Sequence, residues 1–195
     1  MKLLKRVQDT KIVVGPVRLT YCHVQAPYAF NEDDPRKYQT GILIPKEEKE
    51  TIKEIQAAIK EAENQALSGV WGGKKPKDYT SPLRDGDDRE DDETFQGHYY
   101  LTAKSNQHPN AQDRHGNDLK WVKNEDDEYV LDEEDLFYSG IWVFISFRFF
   151  AVSKGKKPIC VGLDNVRIAK DDAPLGGRSS ANSDFGEAEI DDDDL

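Results

Sequence analysis

The segment Ser139–Val152 carries residues suited to gripping a flat ligand. Alternate positions Ile141, Val143, Ile145, Phe147, Phe149 and Ala151 are all apolar, which marks the inward face of a β-strand. The opposite parity holds Trp142, Phe144, Ser146, Arg148, Phe150 and Val152. A strand with one wet face should place polar residues there, but this one places three aromatics and an arginine. Either both faces are buried, the second beneath another element, or Trp142, Phe144 and Phe150 form a platform on which bases stack. Stacking suits unpaired nucleotides because every base has a π-face, and it contributes about 1–3 kcal/mol per base. Phe95–Lys104 repeats the theme, with Tyr99, Leu101 and Ala103 on the inner parity and His98, Tyr100, Thr102 and Lys104 on the other. The loop Trp71–Arg84, WGGKKPKDYTSPLR, sets Lys74, Lys75, Lys77 and Arg84 around Trp71 and Tyr79 beside two hinge glycines. Cations neutralise phosphates and rings take bases. The candidate nucleic-acid contacts are therefore Lys74, Lys77, Arg84, Lys104 and Arg148 for phosphates, and Trp71, Tyr79, Tyr100, Trp142 and Phe150 for stacking.

Other chemistries fit less well. The acidic run DGDDREDDE at 85–93 invites a metal-dependent nuclease built on Asp85, Asp87 and Asp91, since hard cations use clustered carboxylates. It lacks the spacing of a calcium loop, and a contiguous run is more often a solvated surface. His23, His98, His108 and His115 show no zinc-type pairing, and no nucleophile–His–acid set stands out. Gly176-Gly177 precedes no helix, so no phosphate-cradling loop is read there. Cys22 and Cys160 are too few for a disulfide framework or a zinc set and read as thiols in a reducing cytoplasm. The expectation is a non-enzymatic protein with no cofactor and no metal.

These residues need elements to position them. Lys11–Val24 and Tyr38–Ile44 read as strands, with Val13, Val17, Leu19 and Tyr21 on one face of the first. Ala26–Pro35 is a loop by its Pro, Asn and Asp content. Lys46–Leu67 is the clearest helix, with Ile52, Ile55, Ile59, Ala62 and Ala66 forming one apolar stripe. Val70–Glu93 is irregular, and Phe95–Lys104 is a strand. Short strands are expected near Leu119–Val122 and Tyr129–Leu131, and Ser139–Val152 forms a hairpin with Pro158–Ala169. The order β-β-α-β-β-β lacks the βα alternation of a doubly wound sheet. The fold class expected is mainly β with one long helix, a small β-barrel of the oligonucleotide-binding (OB) kind.

The 195 residues suffice for one domain and a tail. No apolar run is long enough to span a membrane, and the start shows no secretory signal, so no membrane partner is expected. The net charge of −11 argues against a nucleic-acid ligand until its distribution is seen. Residues 171–195 hold nine acids and Arg178, and their −8 leaves −3 on residues 1–170. Setting aside the clusters Asp85–Glu93 and Glu125–Asp135, the remaining body is basic, and binding responds to the local field. The domain expectation is an OB-like unit over 1–170 and a flexible acidic tail over 171–195. Such a tail can compete with nucleic acid for the same cations and, once displaced, dock on partner proteins through Asp191, Asp192, Asp193, Asp194 and Leu195. A rival reading makes the chain an acidic mimic of DNA that binds a basic protein.

Several stretches together resemble one family. They are VRLTYCHVQAP (17–27), YQTGILIPKEEKETIKEIQAAI (38–59), PLRDGD (82–87), YYLTAKSNQHP (99–109), the run from YSGIWVFISFRFF to PLGGR (138–178), and the acidic end. They look like bacteriophage single-stranded-DNA-binding proteins of the OB-fold type, over most of residues 12–186. The resemblance implies an OB barrel, sequence-independent binding of single-stranded DNA, and a role in phage replication, recombination or repair in the host cytoplasm. It also implies replication or recombination proteins as partners of the tail; a homo-oligomer stays open beside a monomer.

Overall fold

The alternation in Ser139–Val152 becomes strand β9 (Trp142–Ala151), whose Val143, Ile145, Phe147 and Phe149 are almost completely buried. The computed structural model describes residues 2–153 and 159–175. Within them lie nine further strands: β1 (Leu3–Gln8), β2 (Lys11–Tyr28), β3 (Lys37–Pro45), β4 (Arg84–Asp85), β5 (His98–Ser105), β6 (Asn110–Gln112), β7 (Trp121–Lys123), β8 (Tyr129–Leu131) and β10 (Ile159–Lys170). β2 pairs antiparallel with β3 and β9, β3 with β5, and β9 with β10. A parallel pairing of Gly162 in β10 with Lys104 in β5 closes the circle. The result is the five-stranded barrel with one helix that the sequence leads one to expect, with the order β2-β3-β5-β10-β9 around its wall.

Helix α1 (Lys49–Ser68) buries Ile52, Ile55, Ile59, Ala62 and Ala66, the stripe read from the sequence, together with Ala58. It packs against β2, β9 and β10, and its side chains join the barrel interior in one apolar core. It starts later than Lys46 because Pro45 ends β3 and the turn after it is closed by Glu48 N–H donating to the Pro45 carbonyl at 2.9 Å. Among the described residues, no helix is long and apolar enough to cross a membrane.

Strand β2 departs from the sequence reading. Val13 and Tyr21 do not share a face with Val17 and Leu19. Ile12 and Val14 are buried, the register to β9 then shifts between Val14 and Val17, and Val17 and Leu19 turn inward. A second shift, between Thr20 and His23, accompanies a left-handed backbone at Tyr21 (φ 45°) and turns that ring outward, 55% exposed. Bulges of this kind bend a strand and re-aim its side chains, and strict alternation cannot foresee them.

Two local devices frame one side of the barrel. The short strand β4 lies along β5, and its flanking carboxylates Asp85 and Asp87 grip Lys46 at 2.5 and 2.6 Å. The Lys46 ammonium holds both carboxyls below the usual carboxylate range. A carboxyl depressed in the fold stabilises it above the unfolded value of about 3.9 and loses that contribution as pH falls through the folded value. The denaturation midpoint is expected to fall below about pH 4, and more shallowly in the Asp85→Asn/Asp87→Asn variant. Identical acid profiles for the two proteins would reject the clip.

The second device is a strap over residues 171–175. Asp172 accepts from Trp142 Nε1 at 2.6 Å, Arg18 donates to the Ala173 carbonyl at 2.6 Å, and Leu175 N–H donates to the Ser139 carbonyl at 2.6 Å. Leu175 ends the strap against Leu43, Phe95 and Tyr100.

Candidate nucleic-acid interface

The outer wall of β2, β3 and β5 presents Thr20, Gln39, Gly41, Thr102 and Lys104 in register. Above it rise the end of β2 and the loop that follows, with Tyr21, His23, Tyr28 and Phe30, and opposite stand Arg84, Arg89 and Phe95. These residues enclose a cleft of about 640 Å³. A second cleft of about 600 Å³ continues across the β5–β10–β9 wall, lined by Arg148, Phe150, Gly162, Asp164 and the loop residues Ser81 and Pro82. The two share Lys37, Arg84, Thr102 and Lys104. A third hollow of about 730 Å³ carries the depression on past Lys11, Asn106 and His108. Together they form one groove across the barrel wall.

Cations and rings alternate along it. Among the described residues, Lys37, Arg84 and Lys104 make no ion pair, so their charges stand uncompensated at the saddle between the clefts. Phe30 is 84% exposed and Phe150 44%. His23 and Tyr28 stack face to face with ring centroids 4.0 Å apart, and burial pushes the His23 pKa down. The Arg89 guanidinium lies 4.3 Å from the Phe95 ring centre and is held by Asp91 at 3.1 Å.

Of the contacts read from the sequence, Arg84, Tyr100, Lys104, Arg148 and Phe150 come together in this groove. Tyr100 faces outward as its parity requires but is only 7% exposed, because Phe95 packs on it at 4.7 Å and Arg84 covers its ring at 4.4 Å. The other five lie elsewhere. Trp142 lines neither cleft; it binds Asp172 of the strap, with Lys170 4.9 Å from its ring centre. Trp71 donates to the Val152 carbonyl at 3.4 Å and meets Tyr79 edge to face at 6.1 Å. Lys75 lies 3.7 Å above the Tyr79 ring and 3.0 Å from Glu63 of α1, so the loop with its hinge glycines is fastened to the helix. Lys74 and Lys77 are exposed on that loop. The tail residues Asp191, Asp192, Asp193, Asp194 and Leu195 lie outside the described residues.

The sequence reading missed Tyr21, His23, Tyr28, Phe30, Lys37, Arg89 and Phe95. Phe30 lies in the loop before Lys37, and that lone aromatic in an otherwise polar, acidic stretch was the available signal. Tyr21 had none, since only the bulge exposes it.

Four of the seven acids in the run 85–93 are held by local bonds. Asp85 and Asp87 hold Lys46, Asp87 accepts from Gly97 N–H at 2.7 Å, Asp91 pairs with Arg89, and Asp92 accepts from Thr94 N–H at 3.0 Å. Among the described residues, no group of three or more His, Cys, Asp or Glu side chains could hold a metal ion. Cys22 and Cys160 form no disulfide, and burial pushes the Cys22 thiol up to about 11.

Comparison with known proteins places the chain among its relatives. A family profile described as "Enterobacter phage Enc34, ssDNA-binding protein" matches residues 10–195. Protein p50 of Acyrthosiphon pisum secondary endosymbiont phage 1 is 29% identical over 185 residues, covering 90% of this chain and 92% of p50. Among solved structures, the single-stranded DNA-binding protein from bacteriophage Enc34 in complex with ssDNA is 24% identical, with a TM-score of 0.68 over 88% of this chain and 96% of that one. The single-stranded DNA-binding protein gp2.5 of bacteriophage T7 is 14% identical, with a TM-score of 0.52 over 98% of this chain and 97% of that one. Both likenesses concern the fold.

Proposed function

This chain belongs to the family of the Enterobacter phage Enc34 ssDNA-binding protein, and from that premise we propose that it binds single-stranded DNA without sequence preference, by neutralising phosphates and stacking bases. The observation that carries the reading is the continuous groove in which Lys37, Arg84 and Lys104, which make no ion pair among the described residues, stand beside the open rings of Phe30 and Phe150. The cations at the saddle take the backbone, and Tyr21, Tyr28, Phe30 and Phe150 offer faces to bases on either side. Tyr100 supports Arg84 from below. Lys74 and Lys77 act as outer phosphate contacts on the loop whose Ser81–Pro82 end borders the second cleft. Trp142 acts indirectly, by fixing the strap.

The protein is non-enzymatic in this reading and works in phage DNA replication, recombination or repair in the host cytoplasm. The barrel over 1–170 holds DNA. Residues 171–175, expected to begin the tail, are instead tied down as the strap, and the acidic segment over 176–195 competes for the groove and recruits replication or recombination proteins when displaced. Self-association along a strand is part of the same proposal.

Anisotropy of labelled oligo(dT) against duplex DNA across a salt series tests the reading. Single strands are expected to bind in preference, with log K falling against log salt by about 0.7 per phosphate contacted. A flat salt dependence rejects phosphate neutralisation, and strand cleavage with Mg²⁺ rejects the non-enzymatic part. Deleting residues 179–195 is expected to tighten binding at low salt, and unchanged or weaker binding rejects tail competition.

A further inference from the structure

One carboxylate lies in the floor of a groove meant for a polyanion. Asp164 borders the second and third hollows, and its side chain is 6% exposed. It sits where the register between β10 and β9 shifts, between Leu163 and Asn165, so a bulge sets its direction. It has two cationic partners. Arg148 donates through both Nε, at 2.8 Å, and a terminal nitrogen to Oδ1, and Lys11 Nζ lies 2.9 Å from Oδ2. A buried carboxylate needs cationic partners, and here both of them also line the groove.

We infer that Asp164 is a positioning residue that fixes Arg148 as a flat platform for a base. Two donors on one edge of the guanidinium meet a single oxygen, so that edge is spent and the plane is locked. The faces of the group remain, and the side chain is 57% exposed. A guanidinium plane stacks on a base much as an aromatic ring does. Gly162, paired with Arg148 across the ladder, leaves the wall low at this point. A methyl there would come within 3.2 Å of both Arg148 Cγ and the Phe150 ring, so stem and ring already lean over the glycine from the same strand. Arg148 and Phe150 thus form adjacent flat surfaces in the second cleft, and Asp164 holds the first of them still. Lys11, on the other oxygen, keeps the carboxylate from repelling the strand.

The inference rests on the single-strand reading above, and it reverses the effect expected from charge alone. Asp164→Asn removes a negative charge from the groove, so simple electrostatics requires tighter binding. Affinities for oligo(dT) and for an abasic oligomer of equal length are measured for the wild-type chain, Asp164→Asn and Gly162→Ala, with circular dichroism as a check on folding. Asp164→Asn is expected to bind oligo(dT) about fivefold to tenfold more weakly while its affinity for the abasic strand stays level or rises. Gly162→Ala, which changes no charge, is expected to show the same selective loss, and it decides the matter if the Asn variant does not fold. Equal or tighter oligo(dT) binding by these variants overturns the positioning role, as does an equal loss on both strands. A wild-type chain that binds neither strand overturns the single-strand reading itself, whereas failure in the variants alone leaves that reading standing.

Discussion

Replacing Lys37, Arg84 and Lys104 together by glutamine is expected to weaken binding of oligo(dT) on the order of a hundredfold at low salt, and to flatten its salt dependence by about 2 in the log–log slope. The three side chains meet at the saddle common to both large clefts, and they make no ion pair among the described residues. Among the described residues, no carboxylate must be displaced before they engage a phosphate. Glutamine keeps most of each stem, so the Tyr100 ring under Arg84 stays covered while the charge goes. Each lost contact removes about 0.7 from the slope for a single strand. The same triple change at Lys5, Lys49 and Lys53, away from the groove, alters net charge equally and serves as the control. Equal losses in the two triples would mean that the overall field, and not this saddle, holds the strand.

The largest effect on the fold is expected at Gly86. It is buried between Asp85 and Asp87, and its N–H donates to the His98 carbonyl at 2.8 Å. A Cβ at that position would stand 2.1 Å from the Phe95 carbonyl oxygen and 2.6 Å from that of His98. Both atoms are backbone, so no side chain can swing aside. Gly86→Ala is therefore expected to cost about 3 kcal/mol or more, read as a fall in Tm of roughly 10 °C. The same displacement moves Arg84 and Phe95 at the groove wall, so oligo(dT) affinity should fall with stability. An unchanged Tm would mean that the chain relaxes there freely, against the close approach seen.

How much of this was legible from the residues depended on periodicity. The inward ladder Ile141–Phe149 and the stripe Ile52–Ala66 repeat without interruption, so barrel wall and helix could be read directly. Arg84, Lys104, Arg148 and Phe150 were found because they lie on regular strands or beside one. Trp142 shares its parity with Phe150, and sequence cannot say that one end of a strand is covered by a strap and the other open. Trp71 and Tyr79 were read as stacking rings on a glycine-hinged loop because the Glu63–Lys75 pair that joins loop to helix spans two elements and leaves no local pattern. Tyr21 was grouped on one face with Val17 and Leu19 because the alternation gives no sign of the left-handed residue that reverses the count.

The bulge at Asp164 and the one near Tyr21 have a consequence for how such a surface changes over time. A groove side chain can be exchanged for another of similar character while the wall beneath it stays put. Losing one residue within a regular stretch is a different event, since period-2 counting then carries every later position to the opposite side and brings oily groups into water, whereas the extra residue of either bulge can go while the pairings on both sides of it are kept. Kinship in this surface is therefore better judged by the spacing between landmarks such as Leu19 and Gly41, or Phe147 and Leu163, than by the letters that fill it.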